Sequence, residues 1–115
     1  VQLEAADDND TIGFGTDLLS DNARDLFALR VKGLSMVDAL INDGDIVLLR
    51  QQETCENGET VAVWLLDEHE TTLKKFYHEG DRVRLQPANT TMDPIYTAPD
   101  NVQIQGKLVT VIRSI

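Results

Sequence analysis

The chain has 115 residues, of which 42% are hydrophobic, with ten basic side chains against twenty acidic ones. That is enough apolar material for one domain with its own core and too much for a disordered tail. A net charge of −10 argues against a direct grip on DNA, which relies on Lys and Arg. The longest apolar run is Val61–Leu66, far short of the roughly 20 residues of a membrane span. No charged-then-apolar leader opens the chain, so no signal peptide is expected. Residues 1–28 hold seven acids (Glu4, Asp7, Asp8, Asp10, Asp17, Asp21, Asp25) and one base, Arg24, which suits a solvated surface segment. The single cysteine, Cys55, allows no internal disulfide and fits a reducing compartment.

Residues 1–25 are polar and read as a loosely ordered lead-in with one short strand. Leu26–Val31 is short, apolar and strand-like, and Gly33 stops it. Ser35–Leu40 suits about one helical turn with Ser35 at its start. Asn42-Asp43-Gly44-Asp45 is a turn by composition, and Ile46–Leu49 a buried strand. Asn57-Gly58 between two apolar runs predicts a hairpin into a strand over Thr60–Leu66. Polar residues 67–70 turn the chain into a strand over Thr71–Tyr77, and residues 78–81 turn it again. Arg82–Pro87 alternates as a half-buried strand does. Residues 88–101 read as a long loop, and Val102–Ile104 and Lys107–Arg113 as two closing strands. About seven short strands with turns every 8–12 residues predict a mostly β domain, a compact barrel or curled sheet with at most one or two short helical turns.

Several chemistries fail on spacing. With Gly44 at position six of a calcium loop, Ala39, Ile41 and Arg50 would occupy ligand positions, which they cannot fill. His69 and His78 stand nine residues apart in different turns and make no zinc pattern, so neither metal nor cofactor is expected. No phosphate-binding glycine loop is present. Cys55 has no local His to activate it. Ser35 has Gly33 before it, but Val37 stands where a nucleophile elbow needs Gly, and Asp38 where Ser-x-x-Lys needs Lys.

Ser35 still follows a strand and a tight turn. It is either a helix N-cap or a nucleophile with backbone N–H groups beside it for an oxyanion. A nucleophile needs a base, and lysine serves only when neutral. Deprotonating an ordinary lysine at pH 7 costs about 4.6 kcal/mol, which burial can supply. Lys74 and Lys75 lie in the strand Thr72–Tyr77, where alternation sends one inward and the other to solvent.

Taken together, several segments resemble the C-terminal domain of LexA-type repressors, the Ser–Lys self-cleaving family that includes UmuD and the lambda-type phage repressors. They are Phe27-Ala28-Leu29-Arg30-Val31-Lys32-Gly33-Leu34-Ser35-Met36, Asp43-Gly44-Asp45-Ile46-Val47 and Asn57-Gly58-Glu59-Thr60-Val61-Ala62-Val63. After them come Thr72-Leu73-Lys74-Lys75-Phe76-Tyr77, Arg84-Leu85-Gln86-Pro87-Ala88-Asn89 and Gly106-Lys107-Leu108-Val109. The resemblance covers residues 26–113. It implies Ser35 as nucleophile, Lys74 as general base, and an oxyanion hole of backbone N–H groups at Leu34 and Ser35. It also implies a homodimer, formed in part by the C-terminal strand Lys107–Ser114, a RecA-type nucleoprotein filament as co-protease, and a cytoplasmic setting.

The family cleaves an Ala-Gly or Cys-Gly bond in its own linker, and neither dipeptide occurs here. The chain is therefore expected to comprise a lead-in over 1–25, following the cleavage site, and a peptidase and dimerisation domain over 26–115, with DNA bound only through a separate N-terminal domain. A UmuD-like polymerase accessory subunit and an inert dimerisation domain are the alternatives. Leu40, Thr90 and Thr110 stand where many members have Gly, Pro and Gly.

Overall fold

A computed structural model describes residues 2–5 and 25–113. Most of the lead-in expected over residues 1–25, namely Val1 and residues 6–24, and Ser114 at the end of the expected dimerisation strand lie outside the described residues. Among the described residues, eight strands form one antiparallel sheet: β1 (Gln2–Ala5), β2 (Leu26–Lys32), β3 (Ile46–Gln51), β4 (Thr60–Leu65), β5 (Glu70–Glu79), β6 (Arg82–Gln86), β7 (Ile95–Thr97) and β8 (Val102–Ile112). Their spatial order is β1-β2-β3-β8-β4-β5-β6-β7, and Gln2 of β1 also pairs with Thr72 of β5. Six strands thus curl into a ring, with β6 and β7 continuing outward from β5. This is the curled, mostly β architecture read from the sequence, and among the described residues two short 3₁₀ turns lie at Val37–Ala39 and Pro99–Asn101.

Curling gives β4 and β5 two buried faces. On one side Ala62 and Leu73 join Val31, Met36, Ile41, Val47 and Leu49. On the other, Val61, Val63 and Leu65 pack with Val83 and Leu85. Two-sided burial accounts for the nearly continuous apolar run of β4, which a sheet wetted on one face would not show.

The structure departs from the sequence reading in three places. Residues 102–112 make one strand instead of two, because β8 serves two partners in succession. It pairs with β4 over Val102–Lys107 and with β3 over Gly106–Ile112, with a register shift in each ladder. Such bulges bend a strand without ending it. The segment 88–101 holds β7, three residues paired with β6, too brief to announce itself. Asn57-Gly58 turns the chain but makes no hairpin, since β8 lies between β3 and β4. Instead Asn57 Oδ1 accepts the His78 N–H at 2.8 Å, and the Gly58 N–H donates to Phe76 O at 2.8 Å. The true tight hairpin is Glu79–Arg82, which closes β5 onto β6.

One departure from the family pattern has a structural cost. Leu40 ends the first 3₁₀ turn with φ 63°, a left-handed conformation that costs a side chain with a Cβ about 1–2 kcal/mol. Its side chain is 76% exposed and recovers little by packing. Leu40→Gly should therefore stabilise the chain by about 1 kcal/mol, the relief outweighing glycine's extra freedom when unfolded. A denaturant midpoint equal to or below that of the parent chain would contradict this.

Candidate active site

Strand β2 ends at Lys32, and Gly33 takes φ 100°, which a side chain would resist. Its N–H donates to Asp43 Oδ1 at 2.8 Å. The chain then turns so that Leu34 faces solvent while Ser35 and Met36 go inward, at 1% and 0% exposure. Met36 sits in the core beside Val31, Ile41 and Leu73. It anchors the loop and leaves Ser35 little freedom. The N-cap alternative does not hold: the 3₁₀ turn is capped by Met36, with no side-chain cap bond.

Strand β5 supplies the partner. Lys74 is 3% exposed and lies opposite Val61 in the β4–β5 register, on the face it shares with Thr72 and Phe76. Its Nζ donates to Ser35 Oγ at 2.9 Å and to Thr72 Oγ1 at 2.8 Å. The sequence reading expected Ser35 and Lys74 within hydrogen-bond reach, and that contact is present. Lys75, the neighbouring lysine on the opposite face of the strand, is exposed. Burial pushes the Lys74 amine below its ordinary pKa, against an opposing pull from the Glu70 carboxylate. Desolvation of this kind disfavours the charged form of a lysine. The other nucleophile candidate moves the opposite way. Burial, with Glu59 nearby, pushes the Cys55 thiol up to about 11, so it stays protonated and inert.

Sequence reasoning missed two residues here. Thr72, the second partner of Lys74, was legible in principle as the residue two positions back on the same strand face. Asn89 lies far along the chain, yet its Nδ2 donates to the Leu34 carbonyl at 2.7 Å. Only its place in the quoted run Arg84–Asn89 pointed to it. The departure at Thr90 also has an account: its N–H donates to Asp38 Oδ2 at 2.9 Å, a bond that proline cannot make. Thr110 pairs with Leu48 beside the register shift of the β3–β8 ladder, which falls between Leu48 and Leu49. Among the described residues, no group of three or more His, Cys, Asp or Glu could hold a metal ion. No helix among them is long and apolar enough to cross a membrane.

The structure thus holds a serine hydroxyl against a buried amine on a curled, mostly β scaffold. Residues 1–109 match the Peptidase S24-like family, which supports a peptidase-type domain, and the chain belongs to that family. Its relatives include proteins called LexA repressor. One from Herpetosiphon aurantiacus is 55% identical over 116 residues, covering all of this chain and 54% of that protein. Another, from a Roseiflexus species, is 57% identical over 94 residues, 82% of this chain and 43% of its own. A third, from Thermotoga neapolitana, is 49% identical over 89 residues, 77% and 44% respectively. The chain spans about half the length of these curated relatives.

Proposed function

We propose that the chain is the self-cleaving serine peptidase domain of a LexA-like transcriptional repressor of the DNA-damage response, with Ser35 as nucleophile and Lys74 as general base. The observation that carries this is the 2.9 Å contact between Lys74 Nζ and Ser35 Oγ, both nearly sealed from water. With Lys74 neutral, the same contact runs in reverse: the Ser35 hydroxyl donates into the amine lone pair while an amine N–H remains on Thr72 Oγ1.

The proton then passes to Nζ as Oγ attacks the carbonyl carbon of an Ala-Gly bond. The tetrahedral oxyanion is received by backbone N–H groups at Leu34 and Ser35. The lysine ammonium returns its proton to the leaving amine, which frees the Gly side and leaves an acyl-serine. A water molecule, deprotonated by the again neutral Lys74, hydrolyses that ester and restores both groups. No metal or cofactor takes part.

The partners follow from the same reading. A RecA-type filament promotes cleavage, and DNA is contacted through sequence outside this acidic chain, in the cytoplasm. A homodimer is supported by β8. Its residues beyond Lys107 pair with β3 alone among the described strands, and Val109 there is 47% exposed. An unpaired strand edge invites a second copy.

The test is cleavage of a separate peptide containing an Ala-Gly bond, followed by mass spectrometry of the products. Wild-type chain should cut between Ala and Gly, and Ser35→Ala should lose about 10³-fold or more. Equal rates for the two proteins would make this an inert dimerisation domain.

A further inference from the structure

The loop that carries Ser35 is clamped from one side by residues 88–91, the segment after β6. The Asp38 N–H donates to Ala88 O at 2.7 Å, the Thr90 N–H to Asp38 Oδ2 at 2.9 Å, and the Ala88 N–H to Met36 Sδ at 3.4 Å. One contact in this clamp differs from the rest, because it lands on the peptide group that leads into Ser35. Asn89 Nδ2 donates to Leu34 O at 2.7 Å, while the Val37 N–H reaches the same oxygen only at 3.3 Å.

The side chain cannot turn around. Its Oδ1 already accepts from the Thr91 N–H at 3.0 Å and from the Thr91 hydroxyl at 2.7 Å, so the amide's two ends are fixed by chemistry. A peptide group is planar, with C=O and N–H pointing opposite ways. Holding the Leu34 oxygen therefore sets the direction of the Ser35 N–H.

The geometry points to Asn89 as a positioning residue for the reaction: it aims the Ser35 backbone N–H at the place where the oxyanion forms. This rests on the reading of Ser35 as nucleophile. Asn89 touches neither the hydroxyl nor the lysine, so its removal should weaken transition-state stabilisation without changing substrate affinity or the titration of the base.

The experiment measures kcat, KM, the pH midpoint of the rate and thermal unfolding on the Ala-Gly peptide. The proteins are wild type, Asn89→Ala, Asn89→Asp, Asp38→Ala and Ser35→Ala. Losing one oxyanion donor costs about 10²–10³ in kcat. Misaiming it should cost about 10–100-fold, with KM within about 3-fold and the pH midpoint unmoved. Asn89→Asp keeps the shape and both Thr91 contacts but cannot donate to Leu34, so it should lose as much, and it keeps the comparison open should Asn89→Ala fail to fold. Asp38→Ala loosens the same clamp without touching the Leu34–Ser35 peptide, and should keep kcat within about 3-fold.

Wild-type kcat in the Asn89 variants beside a dead Ser35→Ala would overturn the inference. So would an Asp38→Ala loss as large as that of Asn89→Ala. If Ser35→Ala were as fast as wild type, the nucleophile assignment would have failed first, and the role of Asn89 with it.

Discussion

Lys74→Met should yield a chain that is more stable at neutral pH and inactive. In the folded protein Lys74 is desolvated and its pKa lowered, whereas in the unfolded chain it sits near the ordinary value of about 10.4. Between those two values the unfolded chain binds more protons, so stability rises with pH across that window. Below the folded value the full penalty of burying the amine is present. Methionine fills much of the same volume without it. The gain at pH 7 should be about 1–2 kcal/mol after the lost bonds to Ser35 and Thr72 are counted. The alkaline rise in stability should flatten in the variant. Peptide cleavage should fall to the level of Ser35→Ala. Lys74→Arg should be equally inactive, because guanidinium does not release its proton. A Lys74→Met variant that unfolds more easily than wild type at pH 7 would mean that the lysine stabilises the fold.

Of alanine substitutions at Gly44, Gly58, Gly80 and Gly106, Gly106→Ala should meet the most severe clash. A Cβ at Gly106 would lie 2.8 Å from the Arg50 carbonyl oxygen and 2.9 Å from two carbons of the Phe27 ring. The oxygen belongs to β3, whose Gln51 faces Gly106 and whose Arg50 faces Lys107 in the β3–β8 ladder. It cannot retreat without opening that ladder where β8 changes partners. Overpacking against backbone costs about 2–4 kcal/mol, a fall in Tm of about 10–20 °C for a domain of this size. Adding Phe27→Leu should recover only the part due to the ring, a coupling that a double-mutant cycle reads directly. A loss under about 0.5 kcal/mol would show that the strands can part there.

Strand positions were legible where period-two alternation or a β-branched run met a turn, as at Ile46–Leu49 and Arg82–Gln86. What local pattern could not show was pairing. Asn57-Gly58 carries a hairpin signature, yet β3 and β4 each need β8 to cover them, and that tertiary demand outweighs the turn's preference. The register shifts along β8 are equally silent in composition, because a bulge is defined by the partner strand. At the site, alternation narrowed the base to two adjacent lysines. The resemblance placed it at Lys74, which is also the lysine that the fold buries. The Asn89–Leu34 contact joins residues far apart in sequence, so spacing alone gave no reason to bring them together.

The central claim is that a neutral, buried Lys74 activates Ser35, and the pH dependence of cleavage tests it most directly. The rate on the Ala-Gly peptide should be measured from pH 6 to 11 with Lys74→Met as the baseline. It should climb about tenfold per pH unit while most of the amine is protonated, and level off at the folded pKa of Lys74, below about 10.4. A rate flat across the whole range, or a Lys74→Met variant as fast as wild type, would contradict the assignment of lysine as the base.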